Sequence, residues 1–396
     1  MSDDGHTPST DDADPTRRAV LATAAAACAG SLAGCGDGGA GKDDDGGTTV
    51  ANGTTVGGGT RTTGTGRSTA TPATPAVPDG PWSPADYVDR AAFREVETTV
   101  PGATCDLPAR VSVPRGEGPF PGAVIVHGSG PQGMDGSVGA VRPYRDLAWG
   151  LASRGVAVLR YDKVTAVCPG ELGSVTVDSV VVDDAIRAVG RLREAAAVSG
   201  VAVVGHSLGG ALTPRILRRA TDPAGGAALA ANARPLYALL PEQVRAIQRA
   251  DGDLTAGENE TYARLREGVD RVDAGAYDAA AESFANLGLP ASFLESLAEY
   301  DRFAAARATS VPLTFRQGTG DVQVSVARDF ELWRERLANR PNTRFELYEG
   351  LNHLLTPVET VPGGNAYRVT SNVAERVVAD LAAAVGDAAA EPGAQG

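Results

Sequence analysis

The sequence predicts an α/β fold: a mostly parallel sheet with helices on both faces and a helical cap inserted over it. Three observations carry the prediction. From Trp82 onward, short apolar runs alternate with amphipathic helical stretches. One of those runs leads straight into Gly205-His206-Ser207-Leu208-Gly209, which has the form of a sharp strand-to-helix turn. Between Leu236 and Ala306 the strands disappear and helical segments take over, as in a cap.

In chain order, Val96 to Val113 reads as two strands around a turn near Pro101-Gly102. Gly122 to Val126 is a short apolar strand that runs into His127-Gly128-Ser129-Gly130-Pro131. Tyr144 to Arg154 reads as a helix, stopped by Gly155 at the position where a left-handed residue ends many helices. Val156 to Tyr161 is the next buried strand. Val182, Ile186, Val189 and Leu192 then recur at helical spacing. Val201 to Val204 forms another strand, followed by a helix through Ala220. Beyond the cap, Val311 to Gln317 and Arg344 to Tyr348 read as strands, and Val373 to Val385 as a closing helix.

The chain before Trp82 has a different texture. Arg17-Arg18 precede a modestly apolar run, Ala19 to Leu32, of about 14 residues, too short to span a bilayer and suited to the apolar region of a signal peptide. The paired arginines resemble a twin-arginine export signal, and Leu32-Ala33-Gly34-Cys35 resembles a lipobox whose cysteine carries lipid after cleavage. Cys28 lacks the large aliphatic residue three positions before it that Cys35 has. Gly36 to Pro81 is almost entirely Gly, Thr, Asp, Ala, Ser and Pro, and cannot bury enough apolar surface to offset the entropy of ordering it. The expected organisation is an export signal over 1–35, a flexible linker over 36–81 and one α/β domain over 82–386. The cap lies at about 236–306, and 387–396 forms a disordered tail.

The chain of 396 residues carries 36 basic and 49 acidic residues, a net charge of −13. Such a balance argues against a basic patch for nucleic acid or an anionic membrane surface, and leaves lipid as the route to a membrane. Only Lys42 and Lys163 are lysines. An acidic, lysine-poor composition resembles that of salt-adapted proteins; a GC-rich genome would explain the missing lysines but not the acidity.

The chemistry is concentrated in four places. At Gly205-His206-Ser207-Leu208-Gly209 the flanking glycines let the backbone crowd around a serine thrust into a pocket. The amides of Leu208, at the start of the following helix, and of Ser129, in the loop after Val126, are the candidate donors to an oxyanion. The base follows by elimination among four histidines. His6 leaves with the signal, His127 lies in the oxyanion loop and His206 adjoins the nucleophile facing elsewhere. His353 remains, after the Arg344–Tyr348 strand, and it completes the order serine, acid, histidine. The acid expected before it is Asp321, the first carboxylate after Val311 to Gln317; Asp329 is the rival, read as lying solvated on a helix.

These motifs together resemble secreted serine hydrolases of the α/β-hydrolase superfamily, in the branch of dienelactone hydrolases and serine aminopeptidases. The likeness rests on His127 to Gln132, the turn at Ser207, Asp321-Val322-Gln323-Val324 and Leu351-Asn352-His353, and covers about Val96 to Val385. It implies an eight-stranded sheet, a helical cap, and neither metal nor organic cofactor. Gly318-Thr319-Gly320 departs from the bulkier, more polar run such proteins often carry before the acid. It also implies that the second strand runs antiparallel beside Val156–Tyr161. That arrangement brings Cys105 near Cys168, a possible disulfide in an exported protein. The function expected is hydrolysis of a carboxylic ester through an acyl-enzyme. An aminopeptidase on the same triad would need acidic residues in the cap for the substrate amine, and Glu242, Glu258, Glu260 and Glu267 are the available ones. A surface binding lipoprotein would require a broken triad.

Overall fold

The computed structural model describes residues 82–250, 254–358 and 370–390. The expectations for Arg17-Arg18, Cys35 and the linker therefore lie outside the described residues.

Eight strands form one sheet: β1 (Phe93–Val100), β2 (Leu107–Pro114), β3 (Phe120–Val126), β4 (Ala157–Tyr161), β5 (Val198–His206), β6 (Gly225–Leu229), β7 (Leu313–Gly318) and β8 (Thr343–Tyr348). Their spatial order is β1-β2-β4-β3-β5-β6-β7-β8. β2 pairs antiparallel with β1 and β4, and every other pairing is parallel. The central strands are apolar throughout because both faces are covered. Successive residues point to opposite faces, so Val124, Val126, Val201 and Val203 enter one core while Ala123, Ile125, Ala202 and Val204 enter the other.

The first core packs under α2 (Asp183–Ala195) and α3 (Leu208–Arg219); the second lies under α1 (Pro143–Ala152) and a C-terminal helix, Glu375–Ala390. Among the described residues, five α-helices stand between β6 and β7: α4 (Leu236–Ala250), α5 (Ala256–Asp273), α6 (Tyr277–Ser283), α7 (Ala291–Ala298) and α8 (Arg302–Arg307). Leu236, Leu289 and Phe293 carry this block onto the first core, and the Tyr300 hydroxyl donates to the Ala211 carbonyl of α3 at 3.1 Å. After β7 come a π-helical turn, Val326–Phe330, and α9 (Glu331–Arg336); the C-terminal helix is α10.

Three sequence expectations need correction. β6 was not anticipated, because Gly225-Gly226-Ala227-Ala228-Leu229 has no β-branched or aromatic residue. Its small residues are a packing requirement. A Cβ on Gly226 would stand 2.7 Å from Leu217 Cδ1, and one on Gly225 would stand 3.0 Å from Ala388 Cβ. The tail expected to be disordered from residue 387 is still helical to Ala390, with Ala388 and Ala389 buried against that corner of the sheet. Asp329 is not solvated but fully buried. Its carboxylate accepts from Arg234 Nη2 at 2.7 Å and from the Ala233 and Arg234 amides at 3.1 and 3.0 Å.

Candidate active site

The turn from β5 into α3 places Ser207 at the carboxyl end of the sheet with φ 53° and ψ −118°. This is a left-handed conformation that a side-chain-bearing residue adopts only when its surroundings hold it. The Ser207 amide donates to the Leu229 carbonyl of β6 at 2.8 Å. Glycine is required on either side for contact reasons. A Cβ on Gly205 would meet Gly209 O and Thr213 Oγ1 at 2.3 Å; one on Gly209 would meet His127 O at 2.4 Å.

His353 and Asp321 reach the same end from the loops after β8 and β7. His353 Nδ1 lies 2.9 Å from Asp321 Oδ2, both side chains being buried. A carboxylate accepts, so Nδ1 carries the hydrogen and Nε2 is left able to take a proton. The other carboxylate oxygen, Oδ1, accepts from the Gln323 and Val324 amides at 2.8 and 2.9 Å. The glycines before Asp321 do not loosen it. A Cβ on Gly318 would stand 2.1 Å from the Leu351 carbonyl, so glycine lets the acid loop and the histidine loop approach.

Ser207 and His353 line one small cavity together with Gly128, Ser129, Gln132 and Tyr144. A second cavity, with walls from Val180, Leu236, Leu289 and Phe293, meets the first at Ser129 and also touches Leu208. Of the two residues expected to donate to an oxyanion, Ser129 lines both cavities and Leu208 lines the second. Among the described residues no three of His, Cys, Asp and Glu come together as metal ligands.

Several contributors carried no role readable from the sequence. His206 Nε2 lies 2.9 Å from the His353 carbonyl; a carbonyl only accepts, so Nε2 carries the hydrogen. Its Nδ1 faces the Tyr144 hydroxyl at 3.1 Å, and that hydroxyl in turn accepts from the Gly128 amide at 3.0 Å. Burial, and then the neighbouring His353, push His206 down to about 3, so it is neutral. His127 is pushed to about 3 by burial and then by Lys163. Lys163 is itself buried and donates from Nζ to the Gly128 and Gly130 carbonyls at 2.8 and 2.9 Å. Desolvation brings its ammonium down to about 7 against the attraction of Asp184. The one hint in the sequence was its rarity, as one of two lysines among 36 basic residues. Cys105 and Cys168 are joined in a disulfide, Cα atoms 6.7 Å apart. It ties the loop between β1 and β2 to the helical turn Val164–Val167 that follows Lys163.

The family model described as serine aminopeptidase, S33, matches residues 132–360, a span that includes Ser207, Asp321 and His353. Esterase EstD of Thermotoga maritima is 36% identical over 297 residues, 75% of this chain and 68% of that protein. Among solved structures, a Mycobacterium tuberculosis puromycin-hydrolysing peptidase aligns with a TM-score of 0.49 and 19% identity. That alignment covers 77% of this chain but only 41% of the peptidase. The bacterial brefeldin A esterase, a homologue of human hormone-sensitive lipase, aligns with a TM-score of 0.46 and 20% identity, over 79% of this chain and 81% of that one.

Proposed function

The chain belongs to the serine aminopeptidase S33 family, and on that premise we propose that it hydrolyses carboxylic esters through an acyl-enzyme formed on Ser207. His353 Nε2 takes the Ser207 proton as Oγ attacks the ester carbonyl, and Asp321 fixes the tautomer and stabilises the imidazolium. The amides of Leu208 and Ser129 hold the oxyanion. His353 then protonates the departing alcohol, and water repeats the sequence to release the acid. The observation that carries this reading is that His353, bonded to Asp321, lines the same cavity as a serine in a strained turn. In the test, a fluorophosphonate probe labels the wild-type chain and not Ser207→Ala. The variant loses ester turnover by several orders of magnitude while keeping its melting temperature. A Ser207→Ala protein with near-normal turnover overturns the reading.

Esters are favoured over peptides with free amino termini by the state of the cap carboxylates. Glu242 is held by Arg234 and Arg328, Glu258 closes a capping box with Thr255 at the start of α5, and Glu267 pairs with Arg271. None of these, nor Glu260, lines either cavity beside Ser129. Among the described residues no carboxylate lines either cavity.

We also propose that the chain is exported, carried outside the cell membrane on a lipid at Cys35, and adapted to high salt. Support comes from Arg17-Arg18, from Leu32-Ala33-Gly34-Cys35, from the net charge of −13 and from a bonded cysteine pair, which suits an oxidising compartment. Cys35→Ser is expected to release the protein from membranes with its catalytic rate unaltered. Mass spectrometry finding an intact, unlipidated Cys35 in exported protein would end the idea.

A further inference from the structure

We propose that Lys163 is the positioning residue of the oxyanion loop, gripping the peptide that carries the Ser129 amide and aiming that amide at the reacting carbonyl. The inference rests on the ester-hydrolase reading above. It starts from covalent geometry. The Gly128 carbonyl and the Ser129 N–H belong to one peptide unit, in which the two groups point in opposite directions. Lys163 Nζ holds that carbonyl oxygen at 2.8 Å. The Ser129 N–H is therefore directed away from Lys163, and both Gly128 and Ser129 line the cavity of Ser207 and His353. In its protonated form Lys163 also polarises the peptide and makes its N–H a stronger donor.

The grip is one of several on the same segment. The second bond from Nζ, to the Gly130 carbonyl at 2.9 Å, fixes the peptide before Pro131, which has no N–H to offer. The intervening Ser129 carbonyl accepts from Gln132 Nε2 at 2.9 Å. Outside the loop, the residues ending β4 hold it along its length. The Lys163 amide donates to the Gln132 carbonyl at 3.0 Å, and Asp162 Oδ1 accepts from the Met134 amide at 2.6 Å. Arg160 Nε bonds Asp135 Oδ1 at 2.9 Å. Those outer contacts locate the loop; Lys163 bonds the carbonyl of the peptide plane whose direction decides where the oxyanion donor points. A buried lysine is otherwise a costly choice, since its ammonium gives up hydration. In a chain with 34 of its 36 basic residues arginine, a slim ammonium is the cation that can sit between two carbonyls of one tight loop.

The test uses the full-length chain with p-nitrophenyl butyrate as substrate, a trifluoromethyl ketone as oxyanion-forming inhibitor, and 1-butanol as a neutral ligand with no carbonyl or carboxylate oxygen. Lys163→Met is expected to lower kcat by about 10- to 100-fold with KM within about twofold. Ketone affinity should fall by the same factor as kcat/KM and 1-butanol binding should be unchanged. A merely structural lysine would instead lower the melting temperature and weaken both ligands together. Should Lys163→Met not fold, Lys163→Gln, which keeps a neutral donor in the cavity, carries the same expectation at the lower end of the range. A folded variant of either kind with wild-type kcat and ketone affinity overturns the inference and leaves the ester-hydrolase reading standing. A wild-type chain that neither cleaves the ester nor binds the ketone overturns that reading, and this inference with it.

Discussion

Asp321 and Asp329 follow the same strand and are both buried, yet their partners give them different work. Asp321 spends one oxygen on two backbone amides and turns the other to His353. Asp329 has both oxygens taken by Arg234 and nearby amides. Asp321→Asn is accordingly expected to cut kcat by about 10⁴-fold with little change in melting temperature, since the wrong tautomer of His353 is then favoured. Asp329→Asn should leave kcat within a few-fold and destabilise the fold by about 3 kcal/mol, because Arg234 loses a buried counter-charge. Ester kinetics and thermal melts on the two variants decide it; the reverse ranking would move the acid to Asp329. Sequence order was enough to point to Asp321, Ser207 and His353. It could not expose Lys163, whose partners, Gly128 and Gly130, lie in a loop more than thirty residues earlier.

At the level of elements, the turn between β5 and α3 and the body of α2 show when a glycine is indispensable. Gly209 sits where a Cβ would run into the carbonyls of His127 and Val126 at 2.4 and 2.6 Å. Relief would require moving the oxyanion loop, so Gly209→Ala is expected to abolish activity even in protein that still folds. Gly190 is exposed within α2 and has open space where a Cβ would go. Gly190→Ala should raise stability by about 0.5–1 kcal/mol through helix propensity and a less flexible unfolded chain, with kcat unchanged. Urea titrations and kinetics on the pair test both claims; equal effects would show that the elbow has slack. The same crowding explains β6. Its glycines and alanines carry no strand signal in the sequence, and α3 and α10 leave room for nothing larger.

For the molecule as a whole, the neutral imidazoles of His127 and His206 make acid stability a readout of the site. Both are pushed down to about 3 in the fold, whereas an unfolded chain takes up those protons near pH 6.5. Between these values the unfolded state binds more protons, so stability falls as pH drops, by about 1.4 kcal/mol per pH unit for each imidazole. Asp146, pushed up to about 6 by burial, binds its proton earlier in the fold than out of it and works in the opposite sense over part of that window. His206→Gln is expected to flatten the dependence between pH 4.5 and 6 by about 1.4 kcal/mol per unit, measured by urea unfolding; an unchanged slope would mean that His206 is charged in the fold. The sequence by itself determined the alternation of strands and helices, the turn at Ser207, the chain order of Ser207, Asp321 and His353, and the helical block before β7. Each of these is written in local periodicity or in a short run of neighbouring residues. Only the tertiary structure decided that Gly225–Leu229 is a strand, that Asp329 is buried on Arg234, that α10 continues to Ala390 and that Lys163 reaches the oxyanion loop. Those outcomes depend on steric room and charge partners supplied by segments far away in the chain, which no window along it contains.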